Sequence, residues 1–277
     1  MQKKSQPARG FLYWLLAPWR ALVLVVHIIG WIVALMMLGL AVAAGIFFYT
    51  LPDVKSMDFE QFKTLAIERN QARLEVKKNL SRWTPLREIN RDLLYAVVVA
   101  EDGAFFEHRG IDTDALLEAM MTNWRRGEKA FGGSTITQQT VKNLFLSGEK
   151  SYLRKLQELV LALRLEGQLS KNEIVELYLN LAEFGPDIYG VTRATAYYFD
   201  KKPSAINAAE GAYLALLLPS PRRYHYTLFQ NRNVTLQHRR KFETVLRTMR
   251  ARGYISAVQY NEYSTLLTKP DWPEKRP

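Results

Sequence analysis

The stretch Val97–Asp112 reads VVVAEDGAFFEHRGID, an apolar run that stops abruptly at two carboxylates. Leu93, Val97 and Ala100 lie at helical spacing and predict one inward face. Glu101, four residues after Val97, extends the same row. A carboxylate at the end of a buried stripe is costly unless it is paired, protonated or put to use. Desolvation there predicts a raised pKa, which turns a carboxylic acid into a base useful near neutral pH. The competing reading is a buried glutamate paired with an arginine, because structural ion pairs also perturb such groups.

Helical periods continue on both sides of this stretch. REINRDLLYAVVVAED leads into it, and TDALLEAMMTNWRRG follows as an amphipathic helix ending in a basic turn at Gly127. After the pair Gly132-Gly133, Thr135 with Gln138 three residues on fits a capping box. SYLRKLQELVLALRLEGQLSKNEIVELYLNLAEFG holds two more helices, the second starting at Ser170. AAEGAYLALLLPSP is an apolar helix closed by prolines, and NVTLQHRRKFETVLRTMRARG a long basic one that stops at Gly253. No β-rich run or internal repeat interrupts them, so the fold class is all-α.

Before these helices lies a different kind of segment. Ala21–Pro52 contains no Lys, Arg, Asp or Glu, and His27 is its one side chain that titrates near neutral pH. A spanning helix needs about 20 apolar residues, whereas a cleavable signal has a shorter apolar core. The expectation is one retained N-terminal transmembrane helix. Lys3, Lys4, Arg9 and Arg20 precede it and the first acid is Asp53, which places the N-terminus in the cytoplasm and the rest across the membrane. The expected organisation is a cytoplasmic N-terminus at 1–20, an anchor at 21–50 and a linker, helical or extended, at 51–80. A main domain at 81–255 and a tail at 256–277 complete it. Of the net charge of +11, four positive charges precede the span, leaving +7 for residues 21–277. That excess favours anionic headgroups or anionic substrates, and export makes nucleic acid an unsuitable partner. The chain has no cysteine, which excludes disulfides and thiol-ligated metal.

Three further stretches carry polar chemistry. In GGSTITQQTVKNLF, Thr135, Gln138, Gln139 and Lys142 fall three and four residues apart, lining one helical face with hydroxyl, amide and ammonium groups. Such groups hold sugar hydroxyls and phosphate oxygens, although a solvated face is the commoner meaning of the pattern. In RKLQE, Arg154 and Lys155 stand one turn before Glu158, where a surface salt bridge is the default reading. The small residues Gly190 and Ala194, leading to the aromatics of 197–199, read as packing.

Taken in order, EDGAFFEHRG, GGSTITQQTVKN, RKLQE, SKNEIVELYLN and GVTRATAYYF resemble the five motifs of the peptidoglycan glycosyltransferases, glycosyltransferase family 51. The resemblance spans about residues 80–225 and is closest to the monofunctional biosynthetic transglycosylases of Gram-negative bacteria. It implies a lysozyme-like helical domain with a small membrane-facing jaw lobe, for which LLEAMMTNWRRGEKAF is placed suitably. It further implies polymerisation of lipid II into glycan strands on the periplasmic side of the cell inner membrane, releasing undecaprenyl pyrophosphate with inversion. Glu101 is then the general base, and Glu158 the second glutamate, serving the pyrophosphate directly or through a divalent ion such as Mg or Mn. By the same resemblance Lys142, Arg154 and Lys155 neutralise the pyrophosphate. Asp102, Phe105 and His108 shape the first motif, while Ser134, Thr135, Gln138, Gln139 and Asn143 hold substrate or the local fold. No cofactor is otherwise required, and cell-wall synthesis or division proteins are the expected partners.

The chain departs from the family pattern at Thr195 and at YFDKK, where Asp200 replaces the usual glycine and bears on the local turn. Ser147–Lys150, SGEK, matches the S-x-x-K of a penicillin-binding transpeptidase, but no K-T-G accompanies it and the match is read as chance. Two rival readings are a lysozyme-like lytic enzyme and a non-catalytic membrane-anchored scaffold. The cation cluster argues against the first and the paired glutamates against the second.

Overall fold

Thirty-three consecutive apolar-rich residues, Pro18–Thr50, leave α1 (Arg9–Thr50) with nothing in its own sequence to separate a buried from a solvated face. At 1.5 Å per residue that stretch runs about 50 Å, more than a bilayer's hydrocarbon thickness of about 30 Å. Its large side chains are exposed almost throughout, among them Trp31, Met36 and Leu40, which suits lipid rather than water. α1 is thus a candidate membrane span and includes the expected anchor. The computed structural model describes residues 9–74, 82–126, 133–146, 151–269 and 272. Lys3, Lys4, Gly127, Gly132 and the Ser147–Lys150 tetrad lie outside the described residues.

The chain divides into two units, Met1–Leu51 and Pro52–Pro277. The second unit begins with α2 (Phe59–Leu74), in the segment expected to be a linker. Phe62 and Ala66 are fully buried, so α2 is a packed element of this unit. Asn70 Nδ2 donates to the carbonyl of Asn180, 2.8 Å away. The α2 pattern is mostly polar, and only this tertiary partner shows that it has an inward face.

After α3 (Arg91–Glu101) and α4 (Thr113–Arg126) come α5 (Ile136–Phe145), α6 (Tyr152–Glu166) and α7 (Lys171–Leu181). Thr135 forms the expected capping box with Gln138 on α5, and Ser170, the expected start of α7, forms another with Glu173. α5 packs against α6 and α7, and α2 lies on α7. Asn180, near the end of α7, ties these pieces together. Its Oδ1 accepts from the Thr84 amide at 2.9 Å, and its Nδ2 donates to the carbonyls of Thr84 and Glu176, each at 2.9 Å.

A small antiparallel hairpin, β1 (Glu183–Gly185) and β2 (Ile188–Tyr189), follows. It is the one sheet among the described residues, too short to have been legible as a β-rich run. α8 (Val191–Phe199) ends at Asp200, which takes the left-handed conformation with φ 52°. The departure from glycine therefore preserves the turn, since aspartate tolerates this region better than most residues with a side chain.

α9 (Ala208–Leu217) is buried at every position, as its apolar sequence requires. It crosses α3 so closely that a Cβ at Gly211 would stand 2.9 Å from Leu93 Cα. α10 (Pro221–Tyr224) leads into a π-helical turn at His225–Gln230. α11 (Leu236–Ala251) then covers both α3 and α9. α12 (Ala257–Tyr263) packs on α11. In the expected tail, the Trp272 ring lies 5.5 Å from Tyr213 and 5.7 Å from Phe242, so Trp272 is also packed. The architecture is all-α in substance, and it brings the end of α3, the start of α5 and the middle of α11 to one place.

Candidate active site

Glu101 is the last residue of α3, and its side chain is only 10% exposed. Burial raises its pKa above the ordinary glutamate value, against the opposing pull of Lys241, the Gln139 hydrogen bond and Lys142. Gln139 Nε2 on α5 donates to Glu101 Oε2 at 3.1 Å, while Lys241 Nζ on α11 stands 3.6 Å from Oε1. The base expected from sequence is therefore largely buried and held by donors, but it keeps a raised proton affinity. Arginine pairing, the competing sequence reading, is replaced by a lysine from a helix 140 positions later in the chain. No helical spacing announces such a partner.

Asp102, next in the chain, has a different task. One carboxylate oxygen accepts the Ile136 amide at the first turn of α5, at 2.9 Å. Its two oxygens also accept from His108 Nε2, at 2.9 and 3.1 Å. A carboxylate at a helix N-terminus satisfies an otherwise orphaned N–H and complements the helix dipole. Asp102 thus fixes the end of α3 to the beginning of α5. Thr135 Oγ1 adds a bond to the Gly110 carbonyl at 2.7 Å. Gly110 has φ 81°, and a Cβ there would sit 3.1 Å from the Ala162 carbonyl oxygen. Glycine is needed for both reasons.

The cations collect beside this junction. Glu158 on α6 is buried, with Oε2 3.1 Å from Lys155 Nζ and Oε1 3.5 Å from Arg154 Nε. Lys155 Nζ also reaches Ser134 Oγ at 2.8 Å and Gln138 Oε1 at 3.3 Å, so it joins the second and third polar stretches. Lys142 interacts electrostatically with both Glu158 and Glu101, and burial lowers its pKa from the usual lysine value. A partly desolvated cation between two carboxylates is suited to meeting a multiply charged anion.

Not every expected substrate contact faces open space. Phe105 is fully buried beneath Lys171, whose Nζ lies 4.4 Å from the ring centre. Thr135 and Gln138 are buried in the α5 cap, so the expected four-residue polar face divides in two. Thr135 and Gln138 hold the fold, while Gln139 and Lys142 turn toward Glu101. Asn143 contributes a backbone carbonyl, which accepts from Arg73 Nη2 at 2.7 Å. These contacts serve the local fold. Ser134, Gln139, Lys142, Arg154 and Lys155 form the accessible polar set beside Glu101.

The family model described as Transglycosylase matches residues 68–250. A protein named biosynthetic peptidoglycan transglycosylase from Herminiimonas arsenicoxydans is 42% identical over 173 residues, covering 62% of this chain and 73% of the relative. A relative of the same name from Thiobacillus denitrificans is 39% identical over 189 residues, covering 65% and 82% respectively.

Proposed function

The chain belongs to the transglycosylase family, and we propose how it performs the peptidoglycan glycosyltransferase reaction, with lipid II and the growing glycan strand as substrates. Glu101 takes the proton from the 4-hydroxyl of the acceptor GlcNAc. That oxygen attacks C1 of the donor MurNAc, and the bond from C1 to the pyrophosphate oxygen breaks with its electron pair leaving on undecaprenyl pyrophosphate. Attack opposite the leaving group inverts C1, so one base and no covalent intermediate suffice. The observation that carries this reading is the buried Glu101 carboxylate, with raised proton affinity, beside Lys142 and the Arg154–Lys155 pair.

Pyrophosphate leaves readily and needs charge neutralisation more than protonation. Lys142, Arg154 and Lys155 supply that charge, and Glu158 holds the last two in place. Cleavage of a neutral glycan chain would have no use for this row of cations, which favours synthesis over lysis. The residues do not make a ready divalent-metal site at Glu158, because both carboxylate oxygens already face cations. The proposed route therefore passes no step through Mg or Mn.

The candidate span supports anchoring in the cell inner membrane, with the basic N-terminus cytoplasmic and the catalytic unit periplasmic. Cell-wall synthesis or division proteins are the partners we propose for an enzyme so placed. The test of the mechanism is Glu101→Gln, which keeps shape and removes the base. Elongation of lipid II, with products sized on a gel, is expected to fall at least ~10²-fold. Turnover close to that of the unaltered protein would refute the assignment.

A further inference from the structure

Gln139 was expected among the groups that hold sugar, but its amide is engaged at both ends. Nε2 donates to Glu101 Oε2 at 3.1 Å, and Oε1 accepts from the Tyr178 hydroxyl on α7 at 3.3 Å. We propose that Tyr178 is a positioning residue for the base: its phenol fixes the Gln139 amide so that an N–H, not the carbonyl, faces Glu101. This rests on the reading of Glu101 as general base.

The chemistry leaves little freedom. A primary amide offers a donor at one end and an acceptor at the other. The ionised carboxylate requires the donor, so Oε1 must turn toward α7, where only a donor is compatible with it. Tyr178 is 1% exposed, and burial together with the negative charges of Glu101 and Asp102 pushes its pKa well above the tyrosine range. Its hydroxyl therefore stays protonated wherever the enzyme works. The groups facing Glu101 are Lys241 from α11, Lys142 and Gln139 from α5 and Asp102 beside it in the chain, with Tyr178 behind Gln139 on α7. Of these, only the Gln139 amide presents opposite polarity when rotated half a turn, so only it needs an outside partner to set its direction. An amide left free to rotate would stabilise ionised Glu101 less, and the acid limb of the pH–rate profile would move to higher pH.

The test compares Tyr178→Phe, Gln139→Met and the double variant in lipid II polymerisation across a pH series, with the full chain in detergent. Tyr178→Phe is expected to raise the acid limb by about half a unit, a roughly threefold loss of rate on that side. Gln139→Met should raise it by about one unit, because the hydrogen bond is lost outright. The double variant should match Gln139→Met, since the phenol acts only through the amide. KM for lipid II should hold steady in Tyr178→Phe. An unmoved limb in Tyr178→Phe, or shifts that add in the double variant, would overturn the proposal. If Tyr178→Phe has no cooperative unfolding transition, Gln139→Met decides: a limb left in place there refutes the relay. Failure of the underlying reading looks different, because Glu101→Gln would then retain turnover.

Discussion

Replacing Lys241 by methionine removes the cation 3.6 Å from Glu101 Oε1 and keeps most of the side-chain stem. Two unit charges at that separation attract by ~1 kcal/mol in bulk water and by ~4–5 kcal/mol at an effective dielectric constant of 20. The lysine side chain is 36% exposed and the glutamate 10%, so neither limit applies and solvent screening discounts the larger figure. About 1.5–3 kcal/mol is a reasonable working range, and at 1.36 kcal/mol per unit it corresponds to roughly one to two pKa units. The sign follows from charge. Lys241 favours the ionised carboxylate, so its loss raises a proton affinity that burial has already raised. A general base must be unprotonated to act, so the acid limb of lipid II polymerisation should move upward by that amount and the rate should recover toward alkaline pH. Initial rates over a pH series would measure this, with Lys241→Arg expected to restore the limb largely to its original position. A limb that stays in place, or a uniform loss of rate at every pH, would refute the argument and assign Lys241 to the substrate instead.

Asn180→Ala should destabilise the second unit by ~3 kcal/mol, because it removes three hydrogen bonds and strands the buried Thr84 amide. Thermal unfolding with an unchanged midpoint would show that these bonds contribute nothing net. A reporter that works only outside the cytoplasm, fused to the C-terminus of the full chain, should be active if α1 spans with its basic end inside. Activity of a cytoplasmic reporter at the same position would reverse the orientation.

The sequence showed most where interactions run along one helix. Thr135 with Gln138, Ser170 with Glu173, and Arg154 and Lys155 with Glu158 are neighbours within a turn, and all meet as their spacing predicts. Glu101 was identifiable because it continues an apolar row. Its partners Gln139 and Lys241 come from other helices, and no periodicity encodes which helix will pass by. Tyr178 is buried in the apolar pattern of α7, and nothing in that pattern shows that its hydroxyl meets Gln139. The burial of Phe105 and Thr135 was equally hidden, because motif membership does not distinguish a residue that touches substrate from one that supports it. The α2 segment reads as polar on average, and its three buried side chains are intelligible only beside α7.

The bond from Asp102 to the Ile136 amide has a mechanical consequence. The connection from α3 to α5, with α4 along it, is thereby closed at a single carboxylate. Within it, the Thr135–Gly110 bond forms a second, tighter waist. A change of length or composition in α4 is thereby insulated from the spacing between the base and the cation-bearing helix. The spacing between Glu101 and α5 is thus set by a local bond rather than by the long connection that carries α4.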